Sequence, residues 1–144
     1  MTRDIPITEL PERALSIRQP WAWAILNAGK DVENRPRRSH YRGPICLHAS
    51  RYSSMKGFNE FVDFARGMEP EDWPDGVWVP DPDDFQRGGI IGTAEIVDCI
   101  EISNSPWFLG PYGLVLRNVT PVPFIPVKGA LGLFRWRENL EQVS

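Results

Sequence analysis

Lys30, Glu33 and Arg35 fall within one short run, Gly29-Lys-Asp-Val-Glu-Asn-Arg35, and Arg18 and Gln19 stand in the run before it, Leu15-Ser-Ile-Arg-Gln-Pro-Trp-Ala22. An ammonium, a carboxylate and two guanidinium groups can do acid–base and charge-assisted hydrogen-bonding work without a metal. The cations polarise a carbonyl or hold an anion, and the carboxylate orients them or accepts a proton. The plainer alternative is a surface arrangement in which Lys30 answers the negative end of a helix while Glu33 and Arg35 pair in solvent. A third carboxylate, Glu95, stands in an otherwise apolar run with Ala94, Ile96 and Val97. It belongs either to the exposed face of a strand or to a pocket that raises its pKa.

Other chemistries lack their residues. His40 and His48 are eight apart and miss the spacing of a helical zinc pair. There is no His-x-Glu followed by Pro-Cys-x-x-Cys, which excludes a zinc nucleobase deaminase. No Gly-x-Ser-x-Gly elbow or phosphate-binding Gly-Lys-Ser/Thr loop occurs, and nothing in the sequence locates a Ser-His-Asp triad. The expectation is catalysis, if any, with no cofactor and no metal.

The elements that must position these residues are short. Fourteen prolines and twelve glycines punctuate the chain, and no repeat is visible. Residues 1–12 read as a loose arm and Arg13–Arg18 as a strand. Pro20 opens a helix over Trp21–Ala28, which Gly29 should stop in a left-handed conformation. Val32–Arg35 reads as extended, and its two-residue period puts Glu33 and Arg35 on one face with Val32 on the other. Pro44–Ala49 is a further strand, ending near His48 and Ser50, and Ser53–Ala65 has helical spacing. Gly89–Ile102 is the longest strand expected, with Tyr112–Val119 and Leu133–Arg137 after it. Pro121, Pro123 and Pro126 argue against a regular central strand between these last two. Strands outnumber helices, so the fold class expected is α+β around a curled sheet or barrel.

At 144 residues the chain suits one domain, set at 13–138, with an acidic proline-rich insertion at about 67–87 and a tail at 139–144. Net charge is −3, against coating nucleic acid by bulk electrostatics. The charge is uneven: Lys30–Arg51 carries a local +4 and Asn59–Asp84 a local −8. Either these are two solvated faces, or the first is a basic pocket mouth for a phosphate or nucleotide beside an acidic border. No apolar stretch approaches the ~20 residues of a membrane span, and no apolar leader opens the chain. With two cysteines, Cys46 and Cys99, in apolar surroundings and read as reduced core thiols, a cytoplasmic protein is expected.

The two runs quoted above resemble the signature of ASCH domains, of the PUA-like superfamily. Further points of resemblance are Arg42-Gly43 with the strand to His48-Ala49, Gly89-Ile-Ile-Gly-Thr-Ala-Glu-Ile-Val-Asp-Cys99, and Pro126-Val-Lys-Gly129. The resemblance spans roughly residues 14–137 and implies a small PUA-like β-barrel of about five or six strands with flanking helices. Within the family some members bind RNA, some are reported as ribonucleases, and small bacterial ones hydrolyse N4-acetylcytidine with a lysine, a threonine and a glutamate. Their lysine corresponds to Lys30, whereas Glu33 stands where their threonine would, so no hydroxyl is offered there.

The reading carried forward is an amidohydrolase removing an acyl group from the exocyclic amine of N4-acylcytidine or a related nucleoside. Lys30, Glu33 and Glu95 are its catalytic candidates. Lys30 would stabilise the oxyanion or pass a proton to the amine, and Glu33 would activate water or orient Lys30. Arg18, Gln19, Trp21, Arg35, His48, Ser50 and Lys128 are the candidates for binding the substrate. Trp21 and Trp23 point about 200° apart on a helix, so both cannot fully face one core. One of them, or Trp107 with Phe108, could stack on a pyrimidine, although core packing is the commoner role of a tryptophan in a small domain. The partner expected is a modified cytidine nucleoside, taken by a monomer or weak dimer, with a non-catalytic RNA-binding module or a ribonuclease as the alternatives.

Overall fold

The computed structural model describes residues 6–140; the first five residues of the expected arm and the last four of the expected tail lie outside them. Strands β1 (Arg13–Ile17), β2 (Val32–Arg35), β3 (Gly43–Ala49), β4 (Gly89–Ile100), β5 (Tyr112–Pro126) and β6 (Leu133–Arg135) form one sheet in the order β2-β5-β4-β3-β1-β6. Only β1 and β3 pair in parallel; the other neighbours are antiparallel. The sheet curls into a half-barrel, flanked by helices α1 (Trp21–Asn27) and α2 (Met55–Arg66). The expected α+β class and curled six-stranded sheet are thus present. Among the described residues, no helix is long and apolar enough to cross a membrane.

Local sequence explains each boundary near the site. Gly29 takes φ +77 after α1, the conformation expected of it, and the Lys30 amide then bonds back to the Ala24 carbonyl at 3.2 Å. That turn swings Lys30 under the helix instead of into solvent. On α2, Ser54 caps the first turn by accepting from the Gly57 amide at 3.0 Å. In β3 the alternation is strict: Ile45 and Leu47 enter one core, and Cys46 faces another with Ala14, Ile90 and Trp136. Both cysteines are free and buried, and burial pushes the Cys46 thiol up to about 12.

Three expectations change. The longest strand is β5, which continues through Pro121 and Pro123 to Pro126. It pairs with β2 only at Tyr112–Val115, so the prolines lie where that side of β5 is a free edge and no ladder bond needs their amides. The described part of the arm is not loose: Leu10 is buried, Arg137 donates to the Ile7 and Leu10 carbonyls, and Trp136 Nε1 donates to the Pro11 carbonyl. The acidic insertion is irregular, with two 3-10 turns, but it also contributes to the core.

Its Trp73 and Phe85 join an aromatic cluster beneath the helices. Phe61 is fully buried there, edge-on to Trp21 at 4.9 Å and stacked with Trp107 at 6.5 Å. Trp23 packs on Trp73 and Phe85. Both tryptophans of α1 therefore find aromatic neighbours, because α2 and the insertion wrap the helix on more than one side. Phe61→Ala should lower the unfolding free energy by about 3–5 kcal/mol in urea titration. Trp78→Ala, on an 86% exposed residue, should stay within ~0.5 kcal/mol. Equal effects would show that the aromatic cluster is not what holds the helices to the sheet.

Candidate active site

The two ends of the sheet approach each other across an open cleft of about 1270 Å³. This exceeds the ~300–1,000 Å³ of usual small-molecule sites. Its floor is built from the polar runs of the sequence. Lys30 is 2% exposed; its Nζ donates to Glu33 Oε1 at 3.0 Å and to the Val32 carbonyl. Arg35 Nη2 donates to Glu33 Oε2 at 3.0 Å and to the Ser16 carbonyl at 3.2 Å. Each carboxylate oxygen of Glu33 thus faces a cation, and Arg35 links β2 to β1 on the far side of the sheet. The surface arrangement considered for these residues is set aside by their burial.

Lys30 has three protons, and two are taken. Its Nζ also lies 6.0 Å from the ring centroid of Trp21, inside the range of a cation–π contact. Trp21 borders the cleft beside it. Asn34, between the charged residues, points elsewhere: its Oδ1 accepts from the Leu109 and Gly110 amides and its Nδ2 donates to the Trp107 carbonyl. It shapes the loop that brings Leu109 to the cleft mouth.

Next to Arg35 in the cleft lining, Ser16 and His48 are direct partners in the parallel β1–β3 register. Ser16 Oγ lies 3.0 Å from His48 Nδ1, and His48 Nε2 lies 2.7 Å from the Val127 carbonyl. His48 is 1% exposed, and burial lowers its pKa while the bond to Val127 offsets part of that. Among the described residues, no group of three His, Cys, Asp or Glu side chains is placed to hold a metal.

The structure brings the sequence-chosen residues Arg18, Trp21, Lys30, Glu33, Arg35, His48, Ser50 and Lys128 to this one cleft. It does not bring Gln19 or Glu95. Gln19 is buried and its amide is used structurally, donating to the Gln86 carbonyl at 2.9 Å and accepting from the Trp23 amide at 2.7 Å. Glu95 is half-buried on β4, in register with Pro44 and Arg117, away from the cleft. Trp107 is 2% exposed inside the aromatic cluster and has no free face for a base. The basic stretch divides as well. Arg38 pairs with Glu101 at 2.6 Å and Arg42 with Asp98 at 3.8 Å, both outside the cleft.

Sequence reasoning passed over Ser16 and Tyr52, which also line the cleft, as does Arg51, the last residue of the basic stretch. Ser16 lies inside the first polar run, yet its alternation with Leu15 and Ile17 marks only a strand face. Arg18 stacks over Tyr52 at 4.7 Å, a contact between residues far apart in sequence. Among the described residues, Arg18, Arg51 and Lys128 form no ion pair, so the cleft rim carries uncompensated positive charge.

A family model for the ASCH domain matches residues 15–114, and no curated protein matches the chain. The matched span runs from Leu15 in β1 to Leu114 in β5, and it takes in every cleft residue named above except Val127 and Lys128.

Two outcomes follow from the buried charges. Glu33→Leu strands the Lys30 ammonium and should cost about 3–5 kcal/mol, while Lys30→Met with Glu33→Leu should recover much of it. A double variant as unstable as the single in urea titration would mean the two charges are not coupled. Because His48 has a lowered folded pKa, the unfolded chain takes up its proton first, near ~6.5. Its contribution to stability is whole above that pH and falls as pH drops below it, by at most ~1.4 kcal/mol per pH unit. His48→Gln should flatten the urea midpoint between pH 7.5 and 5.5, and an unchanged slope would refute the assignment.

Proposed function

The chain belongs to the ASCH domain family of the PUA-like superfamily, and from that premise we propose that it is an amidohydrolase acting on N4-acylcytidine or a related modified nucleoside. The observation that carries this reading is the buried Lys30–Glu33–Arg35 network with one Lys30 proton left over beside Trp21. A pyrimidine stacked on Trp21 would set its acylated exocyclic amine near Lys30; such stacking contributes ~1–3 kcal/mol per base. Lys30 then donates to the acyl oxygen, where negative charge develops as the carbonyl carbon is attacked. Water supplies the oxygen that adds to the carbonyl carbon. Collapse then breaks the C–N bond, the proton from that water passes to the departing amine, and the acyl group departs as its carboxylic acid.

Glu33 supports this by orientation. With Lys30 on one oxygen and Arg35 on the other, it is a weak candidate for deprotonating water and a strong one for fixing the ammonium. Arg18, Arg51 and Lys128 suit the ribose or a phosphate attached to it. In this reading the protein acts as a cytosolic monomer or weak dimer and needs no cofactor.

The same three cations and the size of the cleft favour one second reading, an RNA-binding or RNA-cleaving module. The two readings separate on salt, because affinity built on phosphates falls steeply with ionic strength. Purified protein in EDTA should turn over N4-acetylcytidine, followed by ultraviolet absorbance, and Lys30→Ala should lose at least ~10²-fold. No turnover of that substrate or of bulkier N4-acyl analogues, with salt-sensitive RNA binding instead, would replace the first reading by the second.

A further inference from the structure

The Lys30 network supplies an oxyanion donor but no nucleophile, since both oxygens of Glu33 are held by cations. The same cleft supplies one beside that network, where Arg35 bonds both Glu33 and the Ser16 carbonyl. We propose that Ser16 is a catalytic nucleophile with His48 as its general base, so that the acyl group passes through a covalent ester on Ser16. This inference rests on the hydrolase reading above and adds a covalent step to it.

The hydrogen bonds fix the direction of proton flow. A carbonyl only accepts, so the nitrogen facing Val127, Nε2, carries the ring proton. Nδ1 is then bare, and at 3.0 Å the Ser16 hydroxyl must donate to it. The Val127 carbonyl takes the place that an orienting carboxylate has in a Ser-His-Asp triad: it holds the ring and accepts from the imidazolium once formed. Burial keeps His48 uncharged at neutral pH, so the lone pair on Nδ1 is available.

The surroundings suit a nucleophile and its shielded base. Ser16 is half-buried and borders the cleft, whereas His48 is 1% exposed, its ring edge-on to Phe134 at 5.7 Å. The backbone of the loop after Val127 presses on the pair. A Cβ at Gly129 would stand 2.7 Å from His48 Cε1 and 3.2 Å from Ser16 Oγ, so a side chain there would displace them. The Ser16 carbonyl is bound by Arg35, which ties the pair to Glu33 and through it to Lys30.

The step balances with water as the only co-reactant. Ser16 Oγ attacks the acyl carbon while its proton moves to His48 Nδ1, and the carbonyl electron pair moves onto oxygen beside Lys30. When that pair returns, the C–N bond breaks and His48 gives its proton to the departing amine. Water then attacks the ester and leaves its proton on His48. The C–O bond to Ser16 breaks, and that proton restores the hydroxyl.

Two serine-directed reagents test this without depending on the nucleoside: p-nitrophenyl acetate, read as a burst and as an acetyl mass increment, and a fluorophosphonate, read by mass. The wild type should give a burst of about one equivalent, with both labels on the peptide carrying Ser16. Ser16→Ala should remove both, and His48→Gln should slow acylation at least ~10²-fold with the near-ultraviolet spectrum retained. Should His48→Gln unfold the protein, Ser16→Cys provides a second route. Iodoacetamide should alkylate position 16 far faster than it alkylates a free cysteine at the same pH. No labelling of wild-type Ser16, or N4-acetylcytidine turnover untouched by Ser16→Ala, would reduce the pair to a bridge between β1 and the Val127 loop and overturn the inference. Labelling of Ser16 without nucleoside turnover would instead overturn the substrate reading and keep the nucleophile.

Discussion

A carboxylate buried between two cations governs how this domain is put together. Glu33 leaves water only because Lys30 and Arg35 each meet one of its oxygens at 3.0 Å. Arg35 in turn reaches the Ser16 carbonyl on β1, although β2 and β1 lie at opposite sides of the sheet order. The curl of the sheet is thereby closed by side chains where no backbone ladder joins the strands. The same clasp brings the polar ends of α1, β1 and β2 to one cleft, so closure of the fold and construction of the site are one event.

The rest of the molecule serves that clasp. The Gly29 turn aims Lys30 inward, and α1 is kept on the sheet by aromatic side chains from α2, from the Trp107 loop and from the acidic insertion. Gln19 uses its whole amide to fasten the start of α1 to the end of the insertion at Gln86. The insertion thus has two characters: a solvated acidic exterior, and a Trp73–Phe85 underside that holds the helix bearing Trp21.

Much of the site was legible before the structure because its residues are local. Lys30, Glu33 and Arg35 are near neighbours in sequence, and the two-residue period already set Glu33 and Arg35 on one face. Glu95 was not legible for the opposite reason. A lone carboxylate in an apolar strand looks the same in sequence whether its face meets a pocket or the surface, and on β4 it does not join the cleft that Lys30 lines. The prolines of β5 misled in a similar way, since their effect on a strand depends on whether a neighbour lies on that side, and β2 is too short to reach them.

The sequence by itself determined the short elements, their caps, the α+β class, the family, and the set of polar groups gathered at the end of α1. These follow from local conformational preference and from spacing. Only the tertiary structure decided which distant residues share the cleft. Ser16 meets His48 through the parallel β1–β3 register, His48 meets Val127 across the loop before β6, and Arg18 meets Tyr52 over the rim. Those contacts depend on strand order and on the closure of the sheet. Both are set by the sum of many burial energies over the whole chain, and no short run of residues encodes that sum.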